Sequence, residues 1–270
     1  MDLRTTVVTL PGGLVSDGRW IRRVGLRPLT GSEEDWLAES RDVPNAAKVT
    51  KLLIDCVVSV EETTVNSGVT RRMLVGDRDF LILQLRAATL GDRIQAVLSC
   101  AACRQPIDVD FPISGMTIEP RPQTSERYSV ELNGRQVCFR LPSGEDQEAV
   151  LGLDLEKAAD ALLGLCVVDD GGAALTADER EALAAEMERL APAVDLELEL
   201  ECPECGHSFI APFDTTAFFF DEMRVNHERL MREFHTLAFY YHWSEKEILS
   251  LRRDRRRAYL NILSEALRRE

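Results

Sequence analysis

Two cysteine pairs of the same spacing, Cys100 with Cys103 and Cys202 with Cys205, stand about a hundred residues apart in this 270-residue chain. A C-x-x-C pair on a tight turn aims both sulfurs to one side and so supplies half of a tetrahedral sulfur site; two such pairs complete it. One structural zinc ion is the cation that this donor set suits best, ahead of iron–sulfur or dithiol redox chemistry. A redox pair of the thioredoxin kind opens a helix, whereas both pairs here run on into alternating residues. Seven cysteines are an odd and low number, which argues against a disulfide framework. His207 could stand in for a thiolate, although four cysteines already fill a site. Arg104 follows the first pair where Gly206 follows the second; that position often needs a positive φ, so the first turn is expected to be distorted. Cys56, Cys138 and Cys166 lie in apolar stretches and read as core thiols.

The flanking residues say what holds these pairs. Ile107, Val109 and Phe111 alternate with Asp108 and Asp110 after the first pair. Leu196, Leu198 and Leu200 alternate with Glu197, Glu199 and Glu201 before the second, and Phe209, Ala211 and Phe213 follow it. A period of two on each side of a turn predicts a strand, a knuckle and a return strand, twice over.

Other features also occur twice, in the same order. Leu52-Leu53-Ile54-Asp55-Cys56-Val57-Val58 is echoed by Leu162-Leu163-Gly164-Leu165-Cys166-Val167-Val168, and Pro28-Leu29-Thr30-Gly31-Ser32-Glu33 by Leu141-Pro142-Ser143-Gly144-Glu145-Asp146. The pattern predicts an α+β chain made of two internally duplicated strand-helix-helix-hairpin halves, residues 1–115 and 116–220, joined by a zinc-ribbon-like four-cysteine site. Val49, Leu52, Leu53, Cys56, Val57 and Val60 fit one helix face. Asp77 is placed to cap the helix of Phe80, Leu81, Leu83 and Leu85, which Gly91 ends. Asn133-Gly134 between alternating runs predicts a hairpin, and Thr176 an N-cap for a helix reaching Leu190.

Residues 221–270 predict a helical tail: one helix from Glu222 to Tyr241, a second started by the capping box Ser244-Glu245-Lys246-Glu247, and a third after the arginine run 252–257. From Glu222 to Glu270 the tail carries 11 basic and 8 acidic residues, about +3, against −14 for the whole chain. Its apolar stripe and arginines, with Phe234, Tyr241, Trp243, Ile248, Leu249, Arg255 and Arg256 as the candidates, are expected to grip the body or a partner protein. The net charge disfavours a nucleic-acid-binding zinc ribbon, which needs a basic surface. No apolar run approaches the roughly 18 residues of a membrane span, and Met1-Asp2-Leu3-Arg4 has no leader pattern, so a cytoplasmic protein without membrane contact is expected. No nucleophile elbow, P-loop or dinucleotide fingerprint is present, which leaves no residue-level support for catalysis or a small-molecule substrate.

On these residues the chain resembles the baseplate hub assembly proteins of contractile-tailed phages of the T-even type, and related proteins encoded beside baseplate genes of contractile injection systems. The resemblance rests on Leu26-Arg27-Pro28-Leu29-Thr30-Gly31 with Glu33-Glu34, on Val75-Gly76-Asp77-Arg78-Asp79-Phe80-Leu81 followed by Leu90-Gly91-Asp92, on both knuckles, and on the stretch from Leu237 to Leu249. The stretch from His235 to Leu249 is also similar to the end segment of tail assembly chaperones. The resemblance implies a non-enzymatic assembly factor, chaperone or minor component, for the hub, spike or tape-measure proteins. A permanent baseplate subunit is the alternative, and a zinc-ribbon nucleic-acid adaptor the more distant one.

Overall fold

A computed structural model of the chain describes residues 5–16, 18–61, 67–116, 118–169, 172, 174–194 and 196–269. Met1-Asp2-Leu3-Arg4 and the side chains of Ser16 and Leu196 lie outside the described residues. The first half runs β1 (Thr6–Ser16), β2 (Arg19–Leu26), α1 (Gly31–Glu39), α2 (Asn45–Cys56), β3 (Val57–Val60), α3 (Ser67–Arg72), α4 (Val75–Leu90), β4 (Arg93–Ser99) and β5 (Pro106–Pro112). The second runs β6 (Tyr128–Leu132), β7 (Arg135–Phe139), α5 (Gly144–Ala149), α6 (Leu155–Cys166), β8 (Val167–Asp169), α7 (Ala177–Leu190), β9 (Leu196–Glu201) and β10 (Ser208–Phe213). Four helices follow: α8 (Thr215–Val225), α9 (His227–Tyr241), α10 (Glu245–Leu249) and α11 (Arg253–Leu267). The fold is the mixed α and β arrangement expected, with helices at the C-terminal end.

Each half holds a three-stranded antiparallel sheet, ordered β1-β2-β3 and β6-β7-β8, and a separate hairpin, β4-β5 and β9-β10. The two sheets agree in detail. Leu26 pairs with Val57 and Phe139 with Val167, each next to a register shift. The amides of Arg27 and Arg140 donate to the carbonyls of Cys56 and Cys166, both at 2.9 Å. At the next helix start the amides of Thr30 and Ser143 donate to the carboxylates of Glu33 (2.7 Å) and Asp146 (2.9 Å). Those carboxylates also take the guanidinium groups of Arg27 (2.7 Å) and Arg140 (2.6 Å). Asn133 and Gly134 both have positive φ, 49° and 79°, as the tight β6-β7 turn requires.

The main core joins β1 and β2 (Leu10, Leu14, Val24, Leu26) to α2 (Val49, Leu52, Leu53, Cys56), α4 (Leu81, Ile82, Leu85) and α8 (Phe219, Phe220, Met223). Leu52 and Leu53 have no exposed surface; burying each contributes roughly 1.5–3 kcal/mol. α8 thus crosses the boundary drawn at residue 220 and closes the first half. The second half has a smaller core of Leu132, Val137, Phe139, Leu141, Cys166, Leu183 and Met187.

Several local expectations are corrected. Val57 and Val60 do not extend the face of α2, because the β-branched run leaves the helix at Cys56 and pairs with β2. Asp77 does not cap α4; it is fully buried at the third helical position and accepts from the amides of Gly12 and Gly13, both at 2.8 Å. Burial raises its pKa to about 6 in spite of these donors. Gly12 and Gly13, which supply these amides, belong to a register shift within β1. The helix expected from Glu222 to Tyr241 is two helices, divided at Asn226.

Candidate metal centre

The two knuckles are the ends of hairpins β4-β5 and β9-β10, and they close in the same way. Cys100 N–H donates to Gln105 (2.9 Å) and Arg104 N–H to Cys100 (3.0 Å); Cys202 N–H donates to His207 (3.0 Å) and Gly206 N–H to Cys202 (2.9 Å). Arg104 takes a φ of 60° where Gly206 takes 69°, so the arginine accepts the left-handed backbone and the first turn is not distorted. Ile107 and Val109 pack around the buried Cys100 and Cys202, with Leu98, Leu200 and Phe209 half-buried against them.

This packing brings all four sulfurs within 4.8 Å of one another. Cys100 Sγ lies 3.7 Å from Cys205 Sγ, and Cys103 Sγ 3.6 Å from Cys202 Sγ. All seven cysteines are free thiols. Zinc–sulfur bonds of about 2.3 Å at tetrahedral angles place sulfur pairs about 3.8 Å apart, against about 2.05 Å for a disulfide. Spacing and donor type therefore fit one four-coordinate zinc ion. The amides of Cys103 and Ala102 pull the Cys100 thiol down to about 6. The Gln105 amide favours the Cys103 thiolate, yet desolvation and the sulfurs of Cys205, Cys100 and Cys202 push that thiol up to about 12. Four sulfurs this close cannot all ionise unless a cation balances them. His207 stacks on Phe209, beside the cage. Cys56 and Cys166 are buried, as expected of core thiols, and burial lifts the Cys166 pKa to about 11.

In the tail, Phe234 and Ile248 are buried with Leu230 and Leu237 between α9 and α10. Arg256 has no exposed surface; its Nη2 donates to Glu34 of α1 at 2.8 Å and its Nε to Glu233 of α9 at 3.0 Å. These three side chains hold the tail together and onto the body, and have little or no free surface to offer. Tyr241, Trp243 and Tyr259 form an aromatic cluster with Arg255 over the Tyr259 ring, and Tyr241, Trp243, Leu249 and Arg255 keep part of their surface. Phe239 and Tyr240, exposed by 64% and 45%, sit off the apolar stripe that the sequence shows and add to this surface. His227 Nε2 lies 3.1 Å from Asp35 Oδ1, with Glu39 beside them, a contact between α1 and α9 that sequence spacing alone cannot show.

Among the described residues no helix is long and apolar enough to cross a membrane. The sequence model of the T4 bacteriophage base plate protein family matches residues 7–169. The chain belongs to that family. The match covers the first half from residue 7 on, with its knuckle, and the second half as far as β8, so it includes both sheets but for Thr6. No curated protein and no solved structure matches this base plate protein. Such a family is typically structural, and it points to protein partners within the baseplate.

Proposed function

We propose that this base plate family protein is a non-enzymatic assembly factor for the hub or tape-measure of a contractile phage tail or contractile injection system. The observation that carries the reading is the family match over residues 7–169, which ties the body of the chain to the baseplate. Cys100, Cys103, Cys202 and Cys205 hold one structural zinc that clasps two duplicated halves, supported by the sulfur spacing and by the paired hydrogen bonds of the two sheets. When bound, the ion neutralises the thiolates and fixes the knuckles; the chain's own residues supply every contact with partners. The tail offers the partner surface, with Tyr241, Trp243, Leu249 and Arg255 at its accessible side. Assembly takes place in the cytoplasm.

Co-expression with the neighbouring hub and tape-measure proteins tests this reading. The expected result is co-purification with one of them and failed particle assembly in a deletion strain. Co-purification with neither, together with normal assembly, would refute it. The second reading, a permanent baseplate subunit, is favoured by the same family match and is separated by asking whether the protein is present in purified particles.

A further inference from the structure

The chain repeats a local device three times: an extended N-cap residue leading into a helix whose fourth residue is arginine. The N-caps are Leu74 (φ −59°, ψ 149°), Arg252 (φ −68°, ψ 157°) and Thr176 (φ −69°, ψ 171°), and the arginines are Arg78, Arg256 and Arg180. At the first two, another helix start is seated on the elbow. The Gly144 N–H donates to Met73 and the Gly31 N–H to Leu251, both at 3.0 Å, and bridges join Leu74 to Ser143 and Arg252 to Thr30. In each case the first helical residue is a glycine packed tightly on the elbow: a Cβ on Gly144 would fall 1.5 Å from Arg78 Nη1, and one on Gly31 3.0 Å from the Leu249 Cα and 3.2 Å from Arg256 Nη1. Both arginines are completely buried.

At the third elbow Arg180 Nη1 donates to Leu175 at 2.8 Å, as Arg256 Nη1 donates to Leu251 at 2.8 Å, but among the described residues no glycine N–H reaches that carbonyl. The Arg180 side chain stays 43% exposed. Around it open two cavities of about 610 Å³ each that share Asp160, Leu163 and Arg180. The sequence explains the opening. Cys56 and Cys166 are 110 residues apart but Met73 and Leu175 only 102, so the stretch that forms α3 over the first elbow has no full counterpart in the second half.

We propose that this open elbow docks a helix start of a partner protein, Ser or Thr followed by glycine at the first helical position, with Lys or Arg four residues after the glycine. The glycine follows from the first elbow, where a Cβ at the seated position would fall on the Arg78 guanidinium. The basic residue follows from charge. At the first elbow the residue four after Gly144 is Glu148, which takes Thr50 Oγ1 of α2 and Arg71 of α3 (2.9 Å). The counterpart of Thr50 is Asp160, which lies 3.7 Å from Arg180 Nε, and Glu156, Glu181 and Glu188 also line the groove, so the acidic groups of its rim outnumber the one arginine. The two helix starts of this chain, Gly31 and Gly144, are both engaged and carry Asp35 and Glu148 at that position, which excludes a second copy as the natural occupant. The proposal rests on the three elbows alone and stands apart from the assembly reading above.

The test uses two helix-stabilised, fluorescent peptides spanning residues 141–150, one unchanged and one carrying Glu148→Arg, titrated into the intact chain at low salt. The Glu148→Arg peptide is expected to bind at least tenfold more tightly, and Asp160→Lys, at a side chain 68% exposed, to reverse that preference. Failure of both peptides to bind, equal affinities, or an order that Asp160→Lys leaves unchanged would overturn the proposal. Self-association of the chain that Asp160→Lys abolishes would assign the groove to a second copy and overturn it as well.

Discussion

The two halves share their element order except for α3, which the second lacks among the described residues, yet one is sealed and the other open. Val49, Leu52, Leu53 and Cys56 on α2 are buried, whereas on α6 Ala159 is exposed, Leu162 and Leu163 are half-buried and only Cys166 is fully covered. The helices themselves are alike; the difference lies in what lies over them. α2 and α4 are covered by α3, α5 and α8, so even the polar Asp77 and Arg78 are buried and held by specific partners. Of these, α5 also packs on α6, but among the described residues nothing corresponding to α3 or α8 lies over α6 and α7, and Leu155 at the start of α6 is 88% exposed. An amphipathic helix fixes which side chains face inward, but how deeply they are buried depends on its neighbours.

The largest effect is expected where the halves meet. Cys100→Ser or Cys202→Ser removes one of the four sulfurs proposed to hold zinc; because metal binding is coupled to folding and structural zinc supplies about 10–16 kcal/mol to isolated finger peptides, either change is expected to lower the melting temperature of the whole body. Equal melting curves with and without a strong chelator would rule this out. Next is the glycine contrast. Gly144→Val drives a side chain into Arg78, which is held by Ala46 and Thr50, and is expected to cost about 3 kcal/mol or more. Gly164→Ala, on the open side with nothing within 4 Å, is expected to stabilise by about 0.5–1 kcal/mol. Chemical denaturation of both variants checks the pair.

Leucine truncation gives a smaller contrast. Leu53→Ala opens a cavity in a closed core and is expected to cost about 2–5 kcal/mol. Leu163→Ala, at a half-buried site, is expected to cost less than half as much, and equal losses would mean that the second half is sealed after all. The smallest effect is in the pH dependence. The Asp77 pKa is raised to about 6 by burial, so the fold holds this proton more tightly than the unfolded chain does. Its contribution to stability is present below about pH 4, the ordinary carboxylate range, and is lost as pH rises through 6. Its counterpart Glu179 is held down to about 2, chiefly by Arg135 and the Thr176 amide. That contribution is present above the ordinary range and is lost as pH falls toward 2. Asp77→Asn is expected to flatten the slope of melting temperature between about pH 4 and 6, and Glu179→Gln the slope below about pH 4.

The knuckles were legible in the sequence because strand alternation and C-x-x-C spacing are local signals. So were the Asn133-Gly134 turn and the capped starts at Thr176 and Ser244. What escaped is long-range. Asp77 looks like a cap until Gly12 and Gly13, more than sixty residues away, are seen to donate to it. Arg256 looks like part of a basic patch until Glu34 is found beside it across more than two hundred residues. The valines after Cys56 continue a helical period equally well, and only pairing with β2 decides that they form a strand.

The shared clasp is tested most directly by the zinc content of the intact chain beside that of Cys100→Ser/Cys103→Ser and Cys202→Ser/Cys205→Ser, each expressed in zinc-supplemented medium. One equivalent in the intact chain and none in either double variant is the result expected, since each knuckle supplies half of one site. Less than half an equivalent in the intact chain, or metal retained by either half-stripped variant, would contradict a single zinc held jointly by the two halves.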